Sequence, residues 1–130
     1  PYRHEIPGCR DLIHGCLTRT SDGRVIENVS KTNNFIERMR GLLWSSPLKN
    51  SEGLLILPCS SVHTFGMGYS IDLVFLDKQW TILKMVKSLK PWRMSISGRS
   101  NMVLELAANS IERFQLAIGQ QLEWKNDPQE

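Results

Sequence analysis

The spacing of hydrophobic and polar residues changes along the chain, and each change predicts a different element. Over residues 17–20 and 24–29 apolar and polar positions alternate. Ser21, Asp22 and Gly23 lie between them and supply a tight turn, because Asp and Gly tolerate positive φ. A β-hairpin is predicted there. Asn34 then offers a side-chain oxygen as a helix cap, with Glu37 three residues on to answer it. Phe35, Ile36, Met39, Leu42 and Leu43 recur at helical spacing, and Pro47 stops the helix because proline disfavours a helical predecessor.

From Gly53 the period becomes that of strands. Residues 54–57 are a continuous apolar run stopped by Pro58, as expected of a strand covered on both faces. Segments 62–67, 71–76 and 80–87 follow in order, with Asp77, Lys78 and Gln79 turning between the last two. Together they predict a three-stranded meander. Beyond a loop containing Pro91 and Gly98, residues 102–106 read as another strand. Ser110 reads as the cap of a short helix running to Leu116, Gly119 ends that helix, and Leu122 and Trp124 alternate in a closing strand.

Six or seven closely spaced strands are too many for a parallel α/β sheet. The expected class is α+β, predominantly antiparallel β: a small β-barrel or β-sandwich with two short peripheral helices. At 130 residues the chain closes one core and is too short for two ordinary domains. An extended N-terminal arm is expected over 1–14, a single β-rich domain over 15–125 and a flexible tail over 126–130. A hydrophobic share of 41% against 22% charged excludes a disordered chain. Its longest apolar runs are about four residues, where a membrane span needs roughly twenty, so no span is expected.

Cys9, Cys16 and Cys59 make an odd total, which fits reduced thiols and a cytoplasmic location better than a paired secreted framework. A local Cys9–Cys16 disulfide stays open. The chain begins with Pro1 rather than Met, so a trimmed N-terminus and a preceding targeting segment stay open too.

Net charge is only +3, but its distribution is informative. No acidic residue lies between Asp77 and Glu105, whereas Lys78, Lys84, Lys87, Lys90, Arg93 and Arg99 do, with Trp80 and Trp92 among them. An anion-seeking surface would be built there. The plainer reading is a solvated basic edge, since lysines also block edge-to-edge pairing of strands.

At this point the residues carry a resemblance. The run Pro58-Cys59-Ser60-Ser61-Val62-His63-Thr64-Phe65-Gly66-Met67, followed by Ile71-Asp72-Leu73-Val74-Phe75-Leu76-Asp77, resembles the signature of the family known as domain of unknown function 192. Arg40-Gly41-Leu42-Leu43 upstream, Lys90-Pro91-Trp92-Arg93 in the loop and Val103-Leu104-Glu105-Leu106 downstream resemble its other landmarks, so the similarity covers about residues 28–125. Two departures stand out: Gly66 occupies a position where many relatives carry a bulky aromatic, and Lys78-Gln79 replaces the usual Asp-Gly turn. The resemblance implies a compact β-rich fold with peripheral helices. It implies no established reaction, cofactor or catalytic residue.

Candidate chemistry is sparse. On one strand His63, Phe65 and Met67 would share a face, which could line a pocket. A hydrogen-bonded histidine in a half-buried sheet is the simpler reading. Asp72 and Glu105 sit in otherwise apolar strands, so each is a candidate for a perturbed carboxyl if it faces inward, or for an ion pair with arginine. Cys59 and His63 lie four apart, about 13 Å on an extended strand, too far for a thiol–imidazole dyad. The paired-cysteine spacing of a structural zinc site is missing, as are the phosphate-cradling and nucleophile-elbow motifs. No metal and no cofactor are expected.

The favoured function is a non-enzymatic binding module recognising an anionic small ligand or a protein partner. Its ligand-binding residues would be Phe65, Met67, Lys90, Trp92, Arg93 and Arg99. One alternative is an enzyme of unknown reaction using His63 with Asp72 or Glu105. The other is weak nucleic-acid binding through the basic segment 84–99, with Trp92 stacking on a base.

Overall fold

The computed structural model describes residues 13–32, 48–64 and 68–128. Nine strands and one short helix are formed by these residues. The strands are β1 (Ile13–Arg19), β2 (Val25–Thr32), β3 (Gly53–Ile56), β4 (Ser61–His63), β5 (Ile71–Leu76), β6 (Ile82–Leu89), β7 (Met94–Ile96), β8 (Met102–Ala107) and β9 (Leu122–Asn126). The helix, α1, spans Ser110–Arg113. Seven strands make one sheet in the order β6-β5-β8-β3-β2-β1-β9, while β4 and β7 pair in a separate two-stranded ribbon. β2 and β3 run parallel, and the other ladders among the described residues are antiparallel.

The apolar runs explain why β3, β5 and β8 occupy the middle. Every residue of these three strands is buried, which requires cover on both faces of the sheet. Alternation along each strand then divides the side chains between two cores. Leu55, Val74, Leu76, Met102, Leu104 and Leu106 join Leu17, Val29, Ile82 and Leu122 in the first. Leu54, Ile56, Leu73, Phe75 and Val103 form the second with Cys59 and Val62, which come from the ribbon side. Each fully buried aliphatic side chain contributes roughly 1.5–3 kcal/mol relative to exposure, so the ribbon's inner face belongs to the fold's energetics.

Close backbone packing is needed at Gly15. A Cβ there would collide with the carbonyl oxygen of Lys125 and the ring of Trp124, so glycine lets Trp124 lie against β1, beside a register shift between Gly15 and Leu17. The predicted hairpin is formed by β1 and β2. Its turn is held by the Asp22 carboxylate, which accepts from the Arg24 N–H and from the Arg19 guanidinium.

Other expectations need correcting. A closed barrel is not established. Among the described residues the outer strands meet at their N-terminal ends through the Thr81–Gln121 bridge, where the Leu122 N–H donates to the Trp80 carbonyl and the Ile82 N–H to the Gln120 carbonyl. The meander is not formed either: β4 pairs with β7, and β5 takes β6 and β8 as neighbours. A six-residue strand buried on both faces needs long apolar partners, and β8 supplies a six-residue ladder where β4 has three residues to give. Trp80 does not start β6, because it sits at φ 67 in a turn closed by the Asp77 carboxylate, which accepts from the Gln79 and Thr81 N–H groups.

Ser110 is not the helix cap. Asn109 holds that place in the left-handed conformation, and α1 ends at Arg113 rather than near Leu116. The reason lies in tertiary structure: the N–H of Ile111, in the first turn, donates to the Asp72 carboxylate of β5. The helix predicted from Asn34 lies outside the described residues, so two peripheral helices are not established.

Candidate functional site

The ribbon has an unusual inside and outside. Val62 of β4 stands opposite Ser95 of β7, and both are buried. His63 stands opposite Met94 and Ser61 opposite Ile96, and all four are exposed. In β7 the polar residue therefore faces inward, 9% exposed, while Met94 and Ile96 face outward at 56% each. Hydrophobic burial would favour the opposite orientation. Trp92, two residues before Met94 at the ribbon's end, is 64% exposed. Other exposed apolar side chains, such as Ile118 on its loop, stand without this grouping.

The loop that carries Trp92 is fixed from beneath by Thr64, which is fully buried. Its hydroxyl donates to the carbonyl of Lys90 at 2.6 Å and accepts from the Arg93 N–H at 2.9 Å. The Thr64 N–H donates to the Arg93 carbonyl, and the Trp92 N–H donates to the Thr64 carbonyl. Trp92 is thereby held at φ 62, a region that costs a non-glycine residue roughly 1–2 kcal/mol.

Positive charge adjoins the apolar group along the chain. Lys90 and Arg93 flank Trp92, and Arg99 lies in the turn after β7; all three are exposed. Lys84 reaches across from β6 and donates through Nζ to the carbonyl of Ile96 at 2.8 Å. Residues 53–71 and 78–104, which supply both ribbon strands and the loops after them, contain no Asp or Glu. Of the carboxylates that bound these stretches, Asp77 is held in its turn, Asp72 under α1 and Glu52 by the Lys49 N–H, and Glu105 is buried in β8.

His63, Asp72 and Glu105 are not brought together. Asp72 stands opposite Leu106, of the first core, whereas Glu105 stands opposite Leu54 and Leu73, of the second. Cross-strand partners share a face, so the two buried carboxylates point to opposite sides of the sheet. Both oxygens of Asp72 are engaged, Oδ1 by the Ser88 N–H at 2.8 Å and Oδ2 by the Ile111 N–H at 2.9 Å. His63 points outward, away from the face that Val62 shares with the second core. Cys59 is buried, and its thiol donates to the carbonyl of Ser61 at 3.1 Å. Phe65 and Met67 lie outside the described residues. No cluster of three or more potential metal ligands occurs among the described residues.

A second polar centre lies where β1, β2 and β9 meet the segment after α1. Arg19, buried in β1, donates to both Asp22 oxygens and to the carbonyls of Phe114 and Gln115. The Arg19 hydrogen bond, aided by the Arg24 N–H, holds the Asp22 carboxyl down at about 2. The bond to Asp22 in turn raises the Arg19 guanidinium, against the opposing effect of burial. Arg19, Arg24, Ile26, Phe114, Leu116 and Leu122 line a shallow concavity here with no enclosed room for a water molecule. Its polar groups hold the chain together and leave little with which to bind.

Lys90, Trp92, Arg93 and Arg99 are candidates on sequence alone; Thr64, Met94 and Ile96, which the fold places beside them, are not. Residues 94–96 fall in the segment that the sequence reads as a loop containing Pro91 and Gly98, where the structure forms β7. Pairing of Ser95 with the buried Val62 is what turns Ser95 inward and leaves Met94 and Ile96 exposed.

Comparison with known proteins fits this fold. A UPF0127 protein of Thermococcus sibiricus is 31% identical over 97 residues, covering 70% of this chain and 62% of its own length. The match thus spans less than two thirds of that relative. A UPF0127 protein of Pyrococcus horikoshii is 32% identical over 96 residues, covering 69% of this chain and 81% of its own. Two crystal structures share the fold. A protein of unknown function from Novosphingobium aromaticivorans has a TM-score of 0.69 at 19% identity, over 87% of this chain and 85% of that one. A putative transcription regulator from Sinorhizobium meliloti has a TM-score of 0.71 at 21% identity, over 87% and 93%. The family model of DUF192, described as an uncharacterised ACR, matches residues 17–124. On the match of this family model over most of its length, the chain belongs to the DUF192 family.

Proposed function

We propose that the chain is a non-enzymatic binding module that engages an anionic ligand or partner through the outer face of the β4–β7 ribbon. The observation that carries this reading is the inverted pattern of β7, which exposes Met94 and Ile96 and buries Ser95. At 56% exposure each of the two side chains forgoes roughly half of the 1.5–3 kcal/mol that full burial would give. Patterning that contradicts the core in this way is expected where a surface serves recognition. Trp92 supplies the largest exposed apolar surface of the group, and Lys90, Arg93 and Arg99 supply charge. Pre-setting the loop through Thr64 lowers the cost of ordering it on binding.

Native mass spectrometry of the protein after exposure to a pool of anionic metabolites and acidic peptides tests the reading. Trp92→Ala and Arg93→Ala each weaken capture; equal capture by both variants removes this face from consideration. A nucleic-acid reading draws on the same residues and on the description of the Sinorhizobium neighbour as a putative transcription regulator. Binding of single-stranded oligonucleotides that falls steeply with added salt and is lost in Trp92→Ala would favour that reading instead.

A further inference from the structure

Resting on that reading, we propose that the partner of the ribbon is an anionic lipid surface. Trp92, Met94 and Ile96 would enter the interface while Lys90, Arg93 and Arg99 meet lipid headgroups. Shape is the first argument. These three apolar side chains stand 56–64% exposed on a ribbon and its end loop. A folded partner would need a matching cavity for each, whereas a bilayer interface accommodates projecting groups without one.

Residue type is the second argument. Tryptophan suits the headgroup level because its ring is apolar and its indole N–H polar. Methionine and isoleucine are apolar throughout, and lysine and arginine keep their charge in water while their stems lie along apolar surface. Spacing agrees with this: Met94 and Ile96 are one strand repeat apart, about 7 Å, and Lys90 and Arg93 bracket Trp92 in sequence.

Charge is the third. An anionic surface attracts basic groups and repels carboxylates, and the two stretches that build the ribbon and its loops have no Asp or Glu. The described residues contain no helix long and apolar enough to cross a membrane, and the contact proposed for the ribbon face is a peripheral one. Backbone fixation completes the case. Thr64 holds Lys90, Trp92 and Arg93 in one arrangement, so the projecting ring and its flanking charges arrive together.

The test is co-sedimentation of the full chain with two kinds of vesicle, one of phosphatidylcholine and one of equal parts phosphatidylcholine and phosphatidylserine. Wild type pellets with the anionic vesicles, and less so as salt is raised. Arg93→Ala lowers the partition coefficient about fivefold, and Trp92→Ala about tenfold. Ile118→Ser, at an exposed site away from the ribbon, leaves it unchanged. Brominated lipid quenches a tryptophan signal that Trp92→Ala abolishes. Circular dichroism melts of all three variants match wild type.

Failure of wild type to pellet with anionic vesicles at low salt overturns the lipid inference. So does equal binding to both vesicle types, or full release by soluble phosphoserine or inorganic phosphate. If lipid binding fails while capture of soluble anions still depends on Trp92 and Arg93, the binding-module reading survives without it. If lipid binding is found but neither substitution weakens it, the lipid proposal for this ribbon falls as well.

Discussion

Asp72→Asn gives the sharpest test of how this fold is held together, because the side chain keeps its size and loses half its accepting capacity. Oδ1 of Asp72 accepts from the Ser88 N–H and Oδ2 from the Ile111 N–H, at 2.8 and 2.9 Å. An asparagine has one oxygen. Whichever way it turns, its amide N–H groups confront one of the two backbone donors. A hydrogen bond to a charged group is worth about 1.5–3 kcal/mol, and a buried donor left unsatisfied costs a further 1–3 kcal/mol or so. Removing a buried charge returns part of that, so a net loss of about 3 kcal/mol is expected.

For a chain of 130 residues the unfolding entropy is about 0.3 kcal/mol/K, which converts that loss into a fall in Tm of roughly 10 °C. Urea unfolding would show a lower midpoint with an unchanged slope. Amide hydrogen exchange should speed up most at Ser88 and Ile111, the two donors, and less in β3 and β8. If the Asn variant melts at the wild-type temperature with both amides still protected, Asp72 does not clamp β6 and α1 in the way argued.

Two further outcomes follow from other contacts. Thr64→Val, nearly isosteric, removes the hydroxyl that serves Lys90 and Arg93; a loss of about 1–3 kcal/mol is expected, with the Arg93 amide becoming labile to exchange in NMR. Wild-type protection of that amide would show the loop to be fixed by something else. The Asp22 carboxyl, lowered to about 2 by its hydrogen bonds from Arg19 and the Arg24 N–H, stabilises the fold fully above the ordinary carboxylate range near pH 4, and that stabilisation fades as pH falls towards 2. Acid-unfolding curves of wild type and Asp22→Asn should therefore lie apart at pH 6 and converge near pH 2; a constant separation would contradict this.

Strands were legible in the sequence wherever a side chain's environment follows from its own neighbours in the chain. The continuous apolar run at 54–57 marked a segment with both faces covered, and 71–76 and 102–106, apolar but for Asp72 and Glu105, read as strands; β3, β5 and β8 occupy the middle of the sheet. Asp22 and Gly23 marked the first hairpin because their local conformational freedom decides the turn. Partnership was not legible. Nothing in residues 61–63 says that they pair with 94–96 across two intervening strands, since the apolar pattern fixes which faces are buried and leaves the choice of neighbour to the whole sheet.

The same division runs through the candidate site. Sequence alone determined that a basic, acid-free stretch with tryptophans exists, because charge and composition need no geometry. Only tertiary structure decided that Ser95 turns inward opposite Val62 and sends Met94 and Ile96 out. It likewise decided that Asp72 closes a helix from a distant strand, and that Asp72 and Glu105 lie on opposite faces. The physical reason is that alternation along a strand sets two faces but does not say which is inside. That choice belongs to whatever packs against it, and for the ribbon it is the second core, assembled from residues scattered between Leu54 and Val103.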